Sequence, residues 1–218
     1  MAHLVVSLDA VEAAQAHRFG PKAANLATLG HAGFPIPDGV CIDAAAYRAQ
    51  LTATGLDAAA QGVFANGDPA RARRCALDMK LGLMERPIAP EVLAPMLEAY
   101  RTLSAQCAAP VVVRSSALVE DRYGSSFAGQ FESYLGLESE TDFLVAVRAC
   151  WAALWSTRVL RYMATHDIDP ATTAMAVLVQ PLVAAQAAGG GLSQTADGNM
   201  LINATPGLGS AIAQGEVT

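Results

Sequence analysis

The chain alternates between helical and strand-like spacing of its apolar residues. Gly20-Pro21-Lys22 opens a helix, with Pro21 at the first helical position and Gly30 suited to its C-terminal cap. Pro35 and Pro37 interrupt the pattern, and Val40-Cys41-Ile42 reads as a short strand. Asp43 can cap the next helix, over residues 44–51. Residues 57–106 read as helical throughout, with fresh starts near Asp57, Pro69 and Pro90. This section is rich in alanine and carries no assigned chemistry. Val111, Val112 and Val113 predict a short buried strand, and residues 133–137 another. Thr141 can cap a long helix to about Thr165. There Leu144, Val147, Trp151, Leu154, Arg158 and Tyr162 share a face, and only Arg158 breaks the apolar stripe. Residues 172–183 are the clearest strand. Gly189, Gly190 and Gly191 interrupt the chain, Met200-Leu201-Ile202 forms a further strand, and Gly207-Leu208-Gly209 makes a turn before a short helix. There are no internal repeats, and the mixed order of elements fits an α+β or α/β domain.

With 218 residues, 53% of them apolar, the chain can bury one good-sized core or two small lobes. Its net charge of −6 and lack of a basic stripe argue against nucleic acid as a partner. The first residues lack the basic and apolar regions of a leader, and no stretch reads as a membrane span. A cytoplasmic protein is the expectation. Cys41, Cys75, Cys107 and Cys150 are widely spaced and read as reduced core residues.

Four features could carry chemistry. Arg114, after the valine run, can offer its planar fork to a phosphate, or pair with Glu120 or Asp121. The loop Gly124-Ser125-Ser126-Phe127-Ala128-Gly129 can bring backbone N–H groups and hydroxyls over a triphosphate, or be a plain surface turn. Lys22 is a cation in the first turn of a helix, where the dipole disfavours it unless an anion is near. It is either part of a phosphate site or simply solvated. Gln180 ends an apolar strand, either to hydrogen-bond a base or ribose or as an edge residue facing water. Gly207 and Gly209 alone make a poor dinucleotide fingerprint. His3, His17, His31 and His166 are scattered at surface or helix-end positions, and no metal cage can be drawn from them.

Three blocks together resemble the N-terminal ATP-binding domain of the phosphoenolpyruvate synthase and pyruvate phosphate dikinase family, which rifampin phosphotransferase and phenylphosphate synthase share. The first is FGPKAANLATLGHAGFPIPDGVCI, with Val40 in place of the usual aromatic. The second and most specific is VVVRSSALVEDRYGSSFAGQFESYLGL. The third runs from Trp151 through VLVQPLV to PGLGSAIAQGEVT. The resemblance implies an ATP-grasp-like α+β (α/β) domain over residues 1–218, incomplete at its C-terminus. It implies that Lys22 and Arg114 hold ATP phosphates as the catalytic cations. Gly129 and Ser133 would lie in or beside a lid loop formed with Gly124, Ser125 and Ser126, and Gln180 would face the adenine. Magnesium would accompany ATP on ligands downstream of Thr218, with no metal ligand in this chain. A phosphohistidine-bearing domain or subunit would take the β-phosphoryl group and pass it to pyruvate, a phenol or a similar acceptor, leaving AMP and phosphate. The different expectation is a non-catalytic ATP-sensing or scaffolding protein, which the departure AAGGGLSQTADG after the VLVQPLV strand would suit. Ser210 also replaces a usual glutamate, and self-association is open to a partial domain.

Overall fold

Five strands make one antiparallel sheet in the order β1-β2-β5-β3-β4, where β1 is Val5–Ser7, β2 Val40–Ile42, β3 Val111–Ala117, β4 Ser133–Leu137 and β5 Met175–Pro181. Every pairing is antiparallel, so of the two mixed classes the fold is α+β. The computed structural model describes residues 3–64, 68–119, 131, 133–209 and 212. The chain divides into two compact units, Met1–Leu182 and Val183–Thr218.

In the first unit the helices are α1 (Ala16–His31), α2 (Ala44–Thr54), α3 (Asp57–Gly62), α4 (Pro69–Glu85), α5 (Pro90–Cys107), α6 (Glu140–Ala153) and α7 (Thr157–Thr165). The three starts expected between residues 57 and 106 are the observed ones. Asp43 caps α2, accepting from the Ala45 N–H at 2.8 Å, and Asp68 caps α4 in the same way. The cap glycine of α1 is Gly33, not Gly30. Gly33 has φ +85°, the Phe34 N–H reaches the Leu29 carbonyl, and the Gly33 N–H reaches that of Gly30, which is a Schellman motif. Gly30 lies within the helix, and Ile36 packs where its side chain would stand.

The two sheet faces bury different partners. Val111, Val113, Val177 and Val179 join the larger core, with Tyr47, Met96, Phe143 and Trp151 from the helices. Leu178 and Cys41 face the other way, under Phe19, Ala23 and Ala27 of α1. This is the period-2 alternation of a strand covered on both faces.

Three expectations change. The long helix from Thr141 is two helices, capped by Ser139 and Ser156. Its apolar stripe holds through Val147, Trp151 and Leu154, then shifts to Val159 and Met163 after the break, which leaves Arg158 exposed. Residues Glu140–Thr165 have the length and hydropathy of a membrane span by composition, yet half of that window is buried in the core and the helix is broken within it. Strand β3 continues four residues beyond Val113, because Ser115 and Ser116 are small enough to be buried there.

In the second unit, β6 (Ala187–Leu192) pairs antiparallel with β7 (Leu201–Pro206). The three glycines therefore lie within a strand rather than interrupting it. A Cβ on Gly189 or Gly191 would stand 2.8 Å from a carbonyl oxygen of β7, so the strands approach as only glycine allows. Gly207, at φ +72°, turns the chain after β7, and its N–H bonds to the Gln186 carbonyl. Of the short helix expected next only Ile212 is described, and it is helical; Ser210 lies outside the described residues.

Candidate functional site

The site begins with a break in α1. Gly20 has φ +73° and ψ 166°, which ends the first turn, and the helix restarts at Pro21. A Cβ on Gly20 would lie 2.3 Å from the carbonyl oxygen of Ser116 and 2.4 Å from its hydroxyl, so both the backbone angle and the space call for glycine. Gly20 has no side chain with which to cap the new helix. Ser116 takes that part: its Oγ accepts at 3.4 Å from the N–H of Ala23, 93 residues earlier in the chain. Lys22 stands in this first turn, where the helix dipole opposes a cation. Its Nζ donates to the Ser115 carbonyl at 3.1 Å and lies 6.0 Å from the centre of the Phe131 ring.

Arg114 lies within β3 rather than at its end, between Leu178 of β5 and Ser133 of β4. The Ser133 pairing depends on a bulge. Val111 opposes Leu137 and Val113 opposes Tyr134, so β4 carries one extra residue there, beside Gly136 at φ +71°. Without that residue Tyr134 would oppose Arg114. With it, Ser133 and Arg114 share a sheet face. Gln180 opposes Val112 on the same face, one step diagonally from Arg114. Its Oε1 accepts from Arg114 Nη1 at 3.5 Å, and its Nε2 donates to the Pro37 carbonyl at 3.2 Å.

Lys22, Arg114, Ser133 and Gln180 thus come together around β3. The reading of Gln180 as an edge residue facing water is overturned: it is 3% exposed, in a strand paired on both sides. Gly124, Ser125, Ser126 and Gly129 lie outside the described residues, as do Glu120 and Asp121, the alternative partners of Arg114. Sequence reasoning missed Gly20, Ser116, Pro37 and Gly39. A Cβ on Gly39 would stand 2.7 Å from the Val179 carbonyl oxygen, so this glycine lets the loop lie against β5. The Gly20-Pro21 pair was legible as a helix start, but nothing local marks its approach to Ser116.

An ammonium from the first turn of a helix, held on the Ser115 carbonyl, and the guanidinium of the adjacent strand residue Arg114 form a setting for an anion with several oxygens. Among the described residues no group of three His, Cys, Asp or Glu side chains converges as a metal site would require. His31 Nε2 lies 2.8 Å from the Asp9 carbonyl and His166 Nδ1 2.9 Å from that of Tyr162, both at helix ends.

Comparison with known proteins gives this α+β domain a family. The chain belongs to the pyruvate phosphate dikinase AMP/ATP-binding domain family, whose model matches residues 16–218. It is 32% identical over 208 residues to a probable phosphoenolpyruvate synthase of Methanothermobacter thermautotrophicus, covering 91% of this chain and 30% of that protein. It is 36% identical to the prodigiosin synthesizing transferase PigC of Serratia marcescens, over 99% of this chain and 23% of the relative. It is 32% identical to a rifampicin phosphotransferase of a Streptomyces species, over 98% and 25%. The chain therefore spans less than a third of the length of these curated relatives.

Proposed function

We propose that this chain is the ATP-binding part of a dikinase-type phosphotransferase, with Lys22 and Arg114 as the cations that hold the triphosphate. The observation that carries the reading is the placement of Lys22 Nζ on the carbonyl of Ser115, the residue next to Arg114. Two cations 92 positions apart in sequence reach one short stretch of β3. Phosphoryl transfer is driven mainly by positioning and neutralisation of charge, and these residues supply both. Arg114 would grip phosphate oxygens through its fork, and Lys22 would add a point charge from the helix end. Ser133, opposite Arg114, adds a hydroxyl on the same face, and the loop bearing Gly124, Ser125, Ser126 and Gly129 would cover the phosphates.

In this reading a histidine on another domain or subunit takes the β-phosphoryl group of ATP. Water takes up the γ-phosphate, AMP leaves, and the histidine passes its phosphoryl group to a hydroxyl or enol acceptor. Magnesium would neutralise further phosphate charge. The relatives' names, phosphoenolpyruvate synthase and rifampicin phosphotransferase, support an acceptor chosen elsewhere in the full protein.

Replacing Arg114 by Ala is expected to weaken ATP binding by about 1.5–3 kcal/mol, the scale of hydrogen bonds to a charged group. Calorimetric titration of both proteins measures it, and equal affinities would remove Arg114 from the site.

A further inference from the structure

We infer that Gln180 is a positioning residue: it fixes the Arg114 guanidinium in place and is itself held by Pro37. The inference rests on the reading above that Arg114 holds a phosphate, and it assigns the Gln180 side chain to the arginine rather than to the adenine. The chemistry of the partners gives the chain of contacts a direction. The Pro37 carbonyl can only accept, so the Gln180 NH2 must face it, and it does at 3.2 Å. The amide oxygen then points the opposite way. There it meets a guanidinium, which can only donate, at 3.5 Å from Nη1. Reversing the amide would set donor against donor and acceptor against acceptor in a residue 3% exposed, where such mismatches are costly.

The anchor is stiff. Pro35 and Pro37 fix their own φ angles, and Gly39 brings the loop onto β5. A Cβ at Gly39 would stand 3.0 Å from Gln180 Cγ, so the loop rests on the glutamine itself. Arg114 gains an acceptor at one Nη1 hydrogen, which restrains a side chain that otherwise samples many rotamers. Ser133 pairs with Arg114 on the same sheet face. Each end of the Gln180 amide makes one hydrogen bond within the protein. In this inference its effect on a nucleotide passes through Arg114.

A double-mutant cycle tests this, with ATP titrated into the unmodified chain, Gln180→Met, Arg114→Ala and the double variant. Methionine keeps the length and burial of glutamine and removes both hydrogen bonds. The expected result is about tenfold weaker ATP binding by Gln180→Met when Arg114 is present, the size of one hydrogen bond to a charged group. With Arg114→Ala already in place, Gln180→Met should change nothing further. Equal losses in both backgrounds would overturn the inference, since Gln180 would then act on the nucleotide or on the fold independently of Arg114. No loss in either background would overturn it as well. Should the methionine variant not fold, Gln180→Asn keeps an amide but is one methylene too short to bridge both partners, and the same pattern is expected. Failure of the wider reading looks different: Arg114→Ala would then bind ATP as the unmodified chain does.

Discussion

Gly20 shows how one residue can serve the fold and the site together. Its φ of +73° falls where side chains are disfavoured, and the Ser116 main chain fills the space a Cβ would need. Replacement by Ala is expected to cost roughly 2–4 kcal/mol, from backbone strain plus displacement of β3. Gly55 is the control: its φ is +66°, but nothing lies within 4 Å of the Cβ position, so Gly55→Ala should cost only about 1 kcal/mol. Urea denaturation of both variants checks the contrast, and equal losses would refute the close approach. Ser116 and Gly20 were illegible in the sequence because their meeting is a tertiary event. Arg114 and Lys22 were legible because a strand end and a helix start are local signals, although the strand proved longer than the valine run that marked it.

At the scale of elements, helix starts were the best-read feature. Asp57, Pro69 and Pro90 mark the first residues of α3, α4 and α5 by local chemistry alone. The break between α6 and α7 was hidden because Leu154 and Trp155 continue the apolar run into it, and only the Ser156 cap betrays it. β6 was hidden because glycine has low strand propensity, and its pairing with β7 overrides that. The break also places Trp155 so that its Nε1 donates to the Tyr47 hydroxyl of α2 at 2.8 Å, both side chains being buried. Tyr47→Phe would leave that indole N–H unmatched in the core. The expected loss is about 1–3 kcal/mol by denaturant titration, whereas a neutral effect would show that the bond contributes nothing net.

For the molecule as a whole, burial governs the thiols. All four cysteines are free, and burial pushes the thiols of Cys41 and Cys150 up to about 12 from 9.0. Both stay neutral in the fold at pH 8. A thiol reagent should react with no more than Cys75 and Cys107 in the native chain, and with all four in urea. The sign of the pH dependence follows from the same shift. A folded pKa above the unfolded one favours the protonated fold, so this contribution is fully present below pH 9.0 and is lost as pH rises toward about 12. The urea midpoint should therefore fall between pH 8 and pH 10.5, and a midpoint that rises would contradict the burial of these groups.

If the two cations meeting at β3 recognise the phosphates of a nucleotide, calorimetry will separate ATP from adenosine. Both are titrated into the chain and into the variant carrying Lys22→Ala and Arg114→Ala. ATP is expected to bind at least about a hundredfold more tightly than adenosine, the scale of two charge-assisted contacts, and the variant to lose this difference. Equal affinity for ATP and adenosine, or a preference for ATP that survives removal of both cations, would contradict it.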